Sequence, residues 1–457
     1  MGTSYPYPKK TRGTDQGSDD VGGGGCRGGG ADRISGLSDD LLHSILLRLP
    51  NTAEAARTSI LSRRWRRVWA YLPELSFRYQ NEPAVSAAQA HGRVDAALAA
   101  HSAAAVSRLE ITIPYGSPGI HTDRVAPWLR FASERLTGEL SLSLPYKSAA
   151  AHKEEELLLP PCERLKAIRF DLNRTLRFQL PPATAAGGGG AFMALATLEI
   201  KSAHVDGREL ECFVSTCCPS LKELVLECIT MKDGAPVLSI RSDSLRRLET
   251  IGIIGGFEGL RLQVAAPELQ SFSPHSLSNF YVAAPSLSEL IWYNPSFDAG
   301  TTRHHFAEAG RHLRRLVTSA NFDAAALMRR FDIVDELDVM VSIAKGRKEY
   351  ERYLENINNL SKCQVLVEAD YPCKSSSGCP CGRQEKTNNV ALDSLEEIEV
   401  HGYDSGHKME LVRLLCKCSA MFRKRMAITV HTQSRYMRGK IIDSIRTRNN
   451  QVELTVR

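Results

Sequence analysis

The chain has 457 residues, which is longer than one compact core usually grows and predicts two or three folded units. Its hydrophobic content of 43% and charged content of 24% are typical of a soluble globular protein. The net charge of +6 is too modest to indicate nucleic-acid binding. No run approaches the ~18–20 apolar residues that cross a bilayer. We therefore expect neither a nucleic-acid nor a membrane partner.

Twelve cysteines are spread unevenly along a chain whose N-terminus leads into glycine rather than an apolar signal segment. This pattern favours reduced cysteines that pack as small hydrophobic residues, and it predicts a protein of the cytoplasm, the nucleus or both. Cys373, Cys379 and Cys381 lack the paired spacing of structural zinc ligands. The sequence therefore predicts no metal and no other cofactor.

Residues 1–31 contain the stretch GGGGCRGGG at 22–30, which predicts a disordered tail. Residues 32–78 follow as a compact apolar unit with two helical stripes. The first stripe ends before Pro50 and comprises Leu41, Leu42, Ile45, Leu46 and Leu49. The second comprises Leu61, Trp65, Val68, Trp69 and Leu72. A unit of about 45 residues cannot bury two such stripes by itself, so it needs the rest of the chain or another protein.

The same unit carries the motif DRIS at 32–35, LL at 41–42, IL at 45–46, LP at 49–50, RTS at 57–59 and LSRRWR at 61–66, followed by Trp69, Leu72-Pro73 and Phe77. This motif resembles a plant F-box almost continuously. Ser38 stands where the family usually has proline. Because a serine hydroxyl can accept a hydrogen bond from a helix N-terminus, we expect a slightly weaker adaptor contact there, not a lost one.

The resemblance implies docking on a Skp-family adaptor and, through it, on cullin and RING subunits. The positions that match the adaptor-facing residues of the family are Leu37, Leu41, Leu42, Ile45, Leu49, Pro50, Ile60, Leu61, Ser62 and Trp65. Arg63, Arg64, Arg66 and Arg67 are explained by the solvated faces of an amphipathic helix. Because such adaptors are acidic, some of these arginines can also meet carboxylates there.

An alanine-rich stretch at 84–106 predicts one or two helices. A short alternating apolar segment then recurs, mostly every 23 to 33 residues, with instances that start at Arg108, Glu139, Arg164, Thr197, Ser220, Ser244, Ser286, His312, Val334 and Ser394. The pattern resembles irregular plant leucine-rich repeats, and it predicts a parallel sheet that stacks along a curve. A helical return is predicted from Asp206. Flexible or polar loops are predicted at 181–190 and 369–389. A generic α/β domain is the alternative.

In such a stack, the residues between inward-pointing leucines face the concave side. This places six candidate target-binding residues there: Glu223, Val225, Glu227, Glu289, Ile291 and Tyr293. The alternative is that they are merely solvated strand residues.

The end of the chain, residues 391–457, predicts a strand, a glycine-bearing turn, an amphipathic helix, a basic turn, another strand and a closing strand with Val452, Leu454 and Val456. It resembles the FBD module that follows the F-box and the repeats in many plant proteins. His304 and His305 are expected on the surface of a polar helical segment, and no catalytic set emerges.

The sequence thus predicts an α/β chain: a three-helix F-box at 32–78, a helical linker with an irregular leucine-rich-repeat solenoid at 79–390, and a βαβ-like FBD module at 391–457. The resemblance implies a non-catalytic substrate-recognition subunit of an SCF (cullin-RING) ubiquitin ligase whose repeats capture an unknown target protein. Two alternatives are an F-box interaction scaffold and a small-molecule co-receptor, neither of which delivers ubiquitin by itself. A buried polar pocket lined by Arg and Lys would favour the co-receptor.

Overall fold

The computed structural model describes a central stretch of the chain with short gaps, and four later strands. The described residues are 34, 36–79, 86–113, 121–144, 155–172, 176–181, 192–232, 236–255, 260–275, 277, 279–293, 303–319, 327, 330–341, 365–370, 397–402, 426–430 and 452–456. The predicted tail, almost all of the two predicted loops, and the predicted FBD helix lie outside these residues.

Six α-helices are described: α1 Asp39–Leu46, α2 Thr52–Arg57, α3 Arg63–Val68, α4 Ala87–Ala100, α5 Thr122–Arg135 and α6 Gly207–Cys212. Short 3-10 turns follow α2 at Thr58–Ile60 and α3 at Trp69–Tyr71, and a π-helical turn follows α6 at Phe213–Cys217. The first three helices occupy the predicted F-box. None of the helices among the described residues is long and apolar enough to cross a membrane.

Polar caps explain where the first helices begin. Ser38, Asn51 and Ser62 precede α1, α2 and α3, and each side-chain oxygen accepts from the backbone N–H three residues later, at 3.4, 3.0 and 3.4 Å. These bonds satisfy backbone donors that a helix start otherwise leaves unpaired. The predicted role of Ser38 as a helix cap is confirmed.

The strands are β1 Glu74–Arg78, β2 Val106–Thr112, β3 Leu136–Ser143, β4 Glu155–Leu158, β5 Ala167–Asp171, β6 Leu176–Gln179, β7 Thr197–Lys201, β8 His204–Val205, β9 Glu223–Glu227, β10 Thr230–Met231, β11 Val237–Arg241, β12 Arg247–Ile251, β13 Arg261–Ala265, β14 Ser271–His275, β15 Asn279–Ala283, β16 Glu289–Trp292, β17 His304–Ala307, β18 His312–Ser319, β19 Ile333–Val341, β20 Val365–Asp370, β21 Glu397–Gly402, β22 Met426–Val430 and β23 Val452–Val456.

Fifteen of these strands form one parallel sheet, called the long sheet here, in the order β1-β2-β3-β5-β7-β9-β12-β14-β16-β18-β19-β20-β21-β22-β23. Each predicted repeat segment supplies one of its strands, and the predicted strands at β22 and β23 are present. The α/β fold with an N-terminal helical unit and a parallel solenoid-like sheet is therefore confirmed.

The returns between these strands differ from the prediction. The helical return from Asp206 is present, and its apolar face is buried as predicted at Leu210, Phe213, Val214 and Cys217. Most other described returns are strands instead. They form two further four-stranded parallel sheets, β10-β8-β6-β4 and β11-β13-β15-β17. His304 and His305 belong to β17, so their predicted helix is wrong, and the His304 side chain is buried while His305 is exposed.

The core lies between the long sheet and these second layers. In-register pairing aligns one inward residue from each strand into a row that is almost fully buried through β19: Leu75, Leu109, Leu140, Ile168, Leu198, Leu224, Leu248, Phe272, Leu290, Leu316 and Leu337. Each buried side chain of this size contributes roughly 1.5–3 kcal/mol. Because every strand covers only its neighbours, the row holds the repeats together.

The helical unit is joined to the sheet by its own last strand. β1 pairs with β2 in parallel from Glu74 opposite Arg108 to Arg78 opposite Thr112. The Thr52 hydroxyl of α2 accepts from the backbone N–H of Ser76 at 2.8 Å. The segment predicted to be the F-box therefore supplies the first strand of the long sheet.

A buried histidine adds to this junction. His101 follows α4, and its Nε2 lies 3.0 Å from the backbone oxygen of Leu72. Burial lowers the pKa of His101, which favours the neutral ring with Nε2–H as donor. The backbone N–H of Ser102 also donates to the carbonyl of Ala70 at 2.8 Å.

The buried row gives a stability prediction. Leu224→Ala is expected to lower the apparent free energy of unfolding by about 2–5 kcal/mol, because it leaves a cavity between β9 and the second layer. Val225→Ala on the same strand changes a half-buried outer residue and is the matched control, with an expected loss of about 1 kcal/mol. Urea denaturation monitored by circular dichroism measures both. Equal losses would contradict the inward and outward assignment.

Candidate functional site

The N-terminal helical unit, which the sequence predicts to be an F-box, exposes an unusual share of the large apolar side chains. Seven of the thirteen exposed ones in the described part of the chain lie between residues 34 and 71. We call the first six the apolar patch: Ile34, Leu41, Ile45, Leu47, Ile60 and Leu61. Ile60 and Leu61, in and just after the 3-10 turn that follows α2, are 84% and 65% exposed. Apolar surface of this kind marks a contact site when it is clustered in one small unit.

The predicted adaptor-facing residues divide into three groups. Leu41, Ile45, Pro50, Ile60, Leu61 and Ser62 are exposed. Leu37, Leu49 and Trp65 are half-buried and pack partly against the core. Leu42 is fully buried. It has no surface to offer a partner, so its assignment is corrected: α1 turns Leu42 and Leu46 into the core and Leu41 and Ile45 outward.

Polar contacts fix the shape of this unit. Arg64 of α3 donates from Nε and Nη2 to Asp39 of α1 at 2.9 and 2.7 Å, and it also donates to the Leu37 carbonyl. His43 of α1 lies 2.9 Å from the Val68 carbonyl through Nε2. These contacts hold α1 against α3. Arg63, Arg66 and Arg67 are exposed beside them.

The outer face of the long sheet is the second candidate surface. Glu223, Val225 and Glu227 alternate with buried Leu224 and Leu226, as predicted. Glu289 and Ile291 are half-buried and Tyr293 is 39% exposed, on the same face of β16 and just after it. In-register pairing brings Glu223 and Glu289 to the same end of the sheet, separated by β12 and β14.

Ion pairs cross much of this face from strand to strand. Glu110 pairs with Arg78 and Arg108 at 2.6 and 3.5 Å. Further pairs join Arg169 to Glu139 and Glu199, and Lys201 to Glu199 and Glu227. Farther along, Arg315 contacts Glu289, Glu336 and Asp338 at 3.3, 3.0 and 3.3 Å.

We call these two runs of ion pairs the ion-pair ladders. Between them lies a cleft of about 400 Å³ that none of the sequence-based predictions includes. It is lined by Lys222, Glu223, Arg246, Arg247, Gln270, Ser271, Ser288, Glu289 and Arg314. Its cationic residues are exposed, so it is an open groove and not the buried polar pocket that would favour a co-receptor. The sequence feature that could have predicted this cleft is the polar pair before each strand leucine, such as Arg246-Arg247 before Leu248.

Metal binding was the remaining kind of site to consider in the described residues. Among them, no group of three or more His, Cys, Asp or Glu side chains could hold a metal ion. Cys373, Cys379 and Cys381 lie outside the described part.

The comparisons with known proteins agree with this architecture. A family model described as F-box domain matches residues 34–76. The helical unit thus lies in the segment that is similar to an F-box domain.

Plant relatives extend the similarity along the chain. An F-box/LRR-repeat protein of Arabidopsis thaliana is 25% identical over 80% of this chain and 86% of its own length. An F-box/FBD/LRR-repeat protein of the same plant is 28% identical over 74% of both chains. An FBD-associated F-box protein is 27% identical over 57% of this chain, and only 55% of that relative is covered. The predicted resemblance to plant F-box proteins with leucine-rich repeats and an FBD module is confirmed.

The Arg78–Glu110 pair generates a pH prediction. The hydrogen bonds that Arg78 donates hold the pKa of Glu110 below its usual range. A lowered folded-state pKa stabilises the fold above the unfolded value of about 4.3, and the contribution is lost as the pH falls through the folded value. Arg78→Met is therefore expected to destabilise the protein at neutral pH and to differ less from wild type below about pH 4.

Urea midpoints recorded across the acid range measure this difference. Arg261→Met changes an exposed arginine at the start of β13 and is the control. Its difference from wild type is expected to stay constant with pH. A constant difference for Arg78→Met would contradict the assignment.

Proposed function

We propose that this chain is a substrate-recognition subunit of an SCF ubiquitin ligase. F-box domains generally dock on Skp1-type adaptors, and the apolar patch within the matched segment is the observation that carries the proposal. Burying such side chains against a partner provides the main driving force for association. The adaptor would link the chain to cullin and RING subunits in the cytoplasm or the nucleus.

The corrected adaptor surface centres on Leu41, Ile45, Ile60 and Leu61. Ser62 and Pro50 lie at exposed positions beside them, while Leu37, Leu49 and Trp65 support them from partly buried positions. Arg63, Arg66 and Arg67 are exposed on or beside α3 and would meet an acidic adaptor.

The chain would act by proximity and would perform no bond-making step itself. A target held on the sheet would present its lysines near an activated ubiquitin thioester at a raised effective concentration. The pairing of β1 with β2 supports this function, because it fixes the sheet directly to the adaptor-binding unit. Target capture is assigned to the outer face of the long sheet, at Glu223, Val225, Glu227, Glu289, Ile291 and Tyr293.

The adaptor surface can be tested without disturbing the core. The double variant Leu41→Arg with Ile60→Arg places charges on two side chains that are 52% and 84% exposed. Loss of co-purification with a Skp1-type adaptor is expected, together with loss of ubiquitin transfer in a reconstituted reaction. A buried charge without a partner is strongly unfavourable at such an interface.

A matched control is Leu158→Arg with Met193→Arg, which alters two apolar side chains outside the F-box that are 56% and 53% exposed. This control is expected to bind the adaptor like wild type. Undiminished adaptor binding by the Leu41/Ile60 variant, with an unchanged circular dichroism spectrum, would refute the assignment.

A further inference from the structure

The cleft between the two ion-pair ladders is built from two sets of residues on the long sheet: the first residues of neighbouring strands, and the residues just before those strands. Arg247, Ser271 and Glu289 are first residues of β12, β14 and β16 and lie in register. Lys222, Arg246, Gln270 and Ser288 immediately precede the strands that follow them. The cleft therefore lies at the amino-terminal ends of four neighbouring strands.

Backbone hydrogen bonds hold the edge row in place. The Lys222 carbonyl accepts from the N–H groups of Arg246 and Arg247 at 2.8 and 2.9 Å. The Arg246 carbonyl accepts from Gln270 and Ser271, both at 2.9 Å. Because each backbone position is tied to the next, the side chains of the cleft are carried on a preorganised frame.

The cations of the cleft differ from those of the neighbouring ladders. Arg78, Arg169, Lys201 and Arg315 each have a carboxylate partner on the outer face. By contrast, Lys222, Arg246 and Arg247 are exposed, and none has a carboxylate within 4.0 Å among the described residues.

The carboxylates that line the cleft are already engaged. Glu289 contacts Arg315 at 3.3 Å and Arg314 at 3.8 Å. Glu223 accepts a hydrogen bond from the Thr197 hydroxyl at 3.4 Å. The lining holds four cationic side chains against these two carboxylates, so the cleft has a net positive charge, which attracts an anionic partner.

β14 continues beyond the cleft from Ser271 to His275. Its outward residues Ser271 and Ser273 are small, and they are only 8% and 5% exposed. At the far end the rings of His275 and Tyr293 stack with centroids 5.3 Å apart. The outer face therefore runs along one strand direction from the cations of the cleft to the His275–Tyr293 stack, which suits an extended polypeptide better than a compact anion.

We propose that this cleft, formed by Lys222, Arg246 and Arg247 beside Ser271, binds an acidic segment of the captured protein in extended conformation. The assignment rests on the proposed role of the sheet in target capture, and it specifies the chemistry of the segment that is recognised. Carboxylate side chains of the segment become the partners of the three cations.

A charge-reversal variant tests the assignment on the full chain bound to its adaptor. The probe is a fluorescein-labelled polyglutamate peptide, and a polyglutamine peptide of equal length is the neutral comparison. Wild type is expected to bind polyglutamate more tightly, with an affinity that falls as salt rises. Arg246→Glu with Arg247→Glu is expected to weaken binding by about tenfold or more.

Arg261→Glu with Arg303→Glu is the matched control, because it makes the same change in net charge at exposed arginines at and near strand starts in another sheet. It is expected to bind polyglutamate within about twofold of wild type. Equal weakening by both variants would overturn the proposal, since it would indicate attraction by net charge alone. Equal affinity for a polyuridine RNA would overturn the choice of a polypeptide.

Adaptor binding separates this proposal from the proposed function. The Arg246/Arg247 variant is expected to co-purify with the adaptor like wild type. Loss of polyglutamate binding with adaptor binding intact supports the cleft assignment. Unchanged polyglutamate binding overturns it and leaves adaptor docking standing.

Discussion

The in-register row of buried side chains from Leu75 to Leu337 is the constraint on which the rest of the structure depends. A parallel strand of five residues has little stability alone, because it buries one face only when neighbours and a second layer cover it. Once the row is aligned, the outward residues of each strand also fall into rows. The ion-pair ladders and the cleft follow from that alignment.

The same alignment explains why the F-box and the sheet form one framework. Leu75 and Phe77 of β1 continue two inward rows of the solenoid, although they belong to the predicted F-box segment. The helices α1 and α3 bury Leu42, Leu46 and Val68, while Leu41 and Ile45 of α1 are exposed, as is Leu61 before α3. Exposed and core-facing apolar side chains are therefore separated within the single helix α1.

Much of this architecture could be predicted from the sequence, because alternation of apolar residues reports directly on burial in a strand. The second layers could not, since strands such as β8 and β10 have only two residues each and carry no period. β14 was missed because its segment SFSPH contains serine and proline. Pro274 has no N–H to donate, and the pairing of β14 with β16 covers only Ser271 and Phe272, before this proline. The burial of Leu42 could not be predicted, because the apolar residues of α1 form one helical stripe in the sequence. In the structure this stripe divides into a buried part, with Leu42 and Leu46, and an exposed part, with Leu41 and Ile45.

Hydrogen–deuterium exchange of the full chain with and without a Skp1-type adaptor most directly tests the proposal that one framework carries two separate surfaces. The adaptor is expected to slow exchange in α1 and in the turn at Thr58–Ile60, while β9, β12 and β14 exchange as before. Protection confined to the long sheet, or no protection in α1, would contradict it.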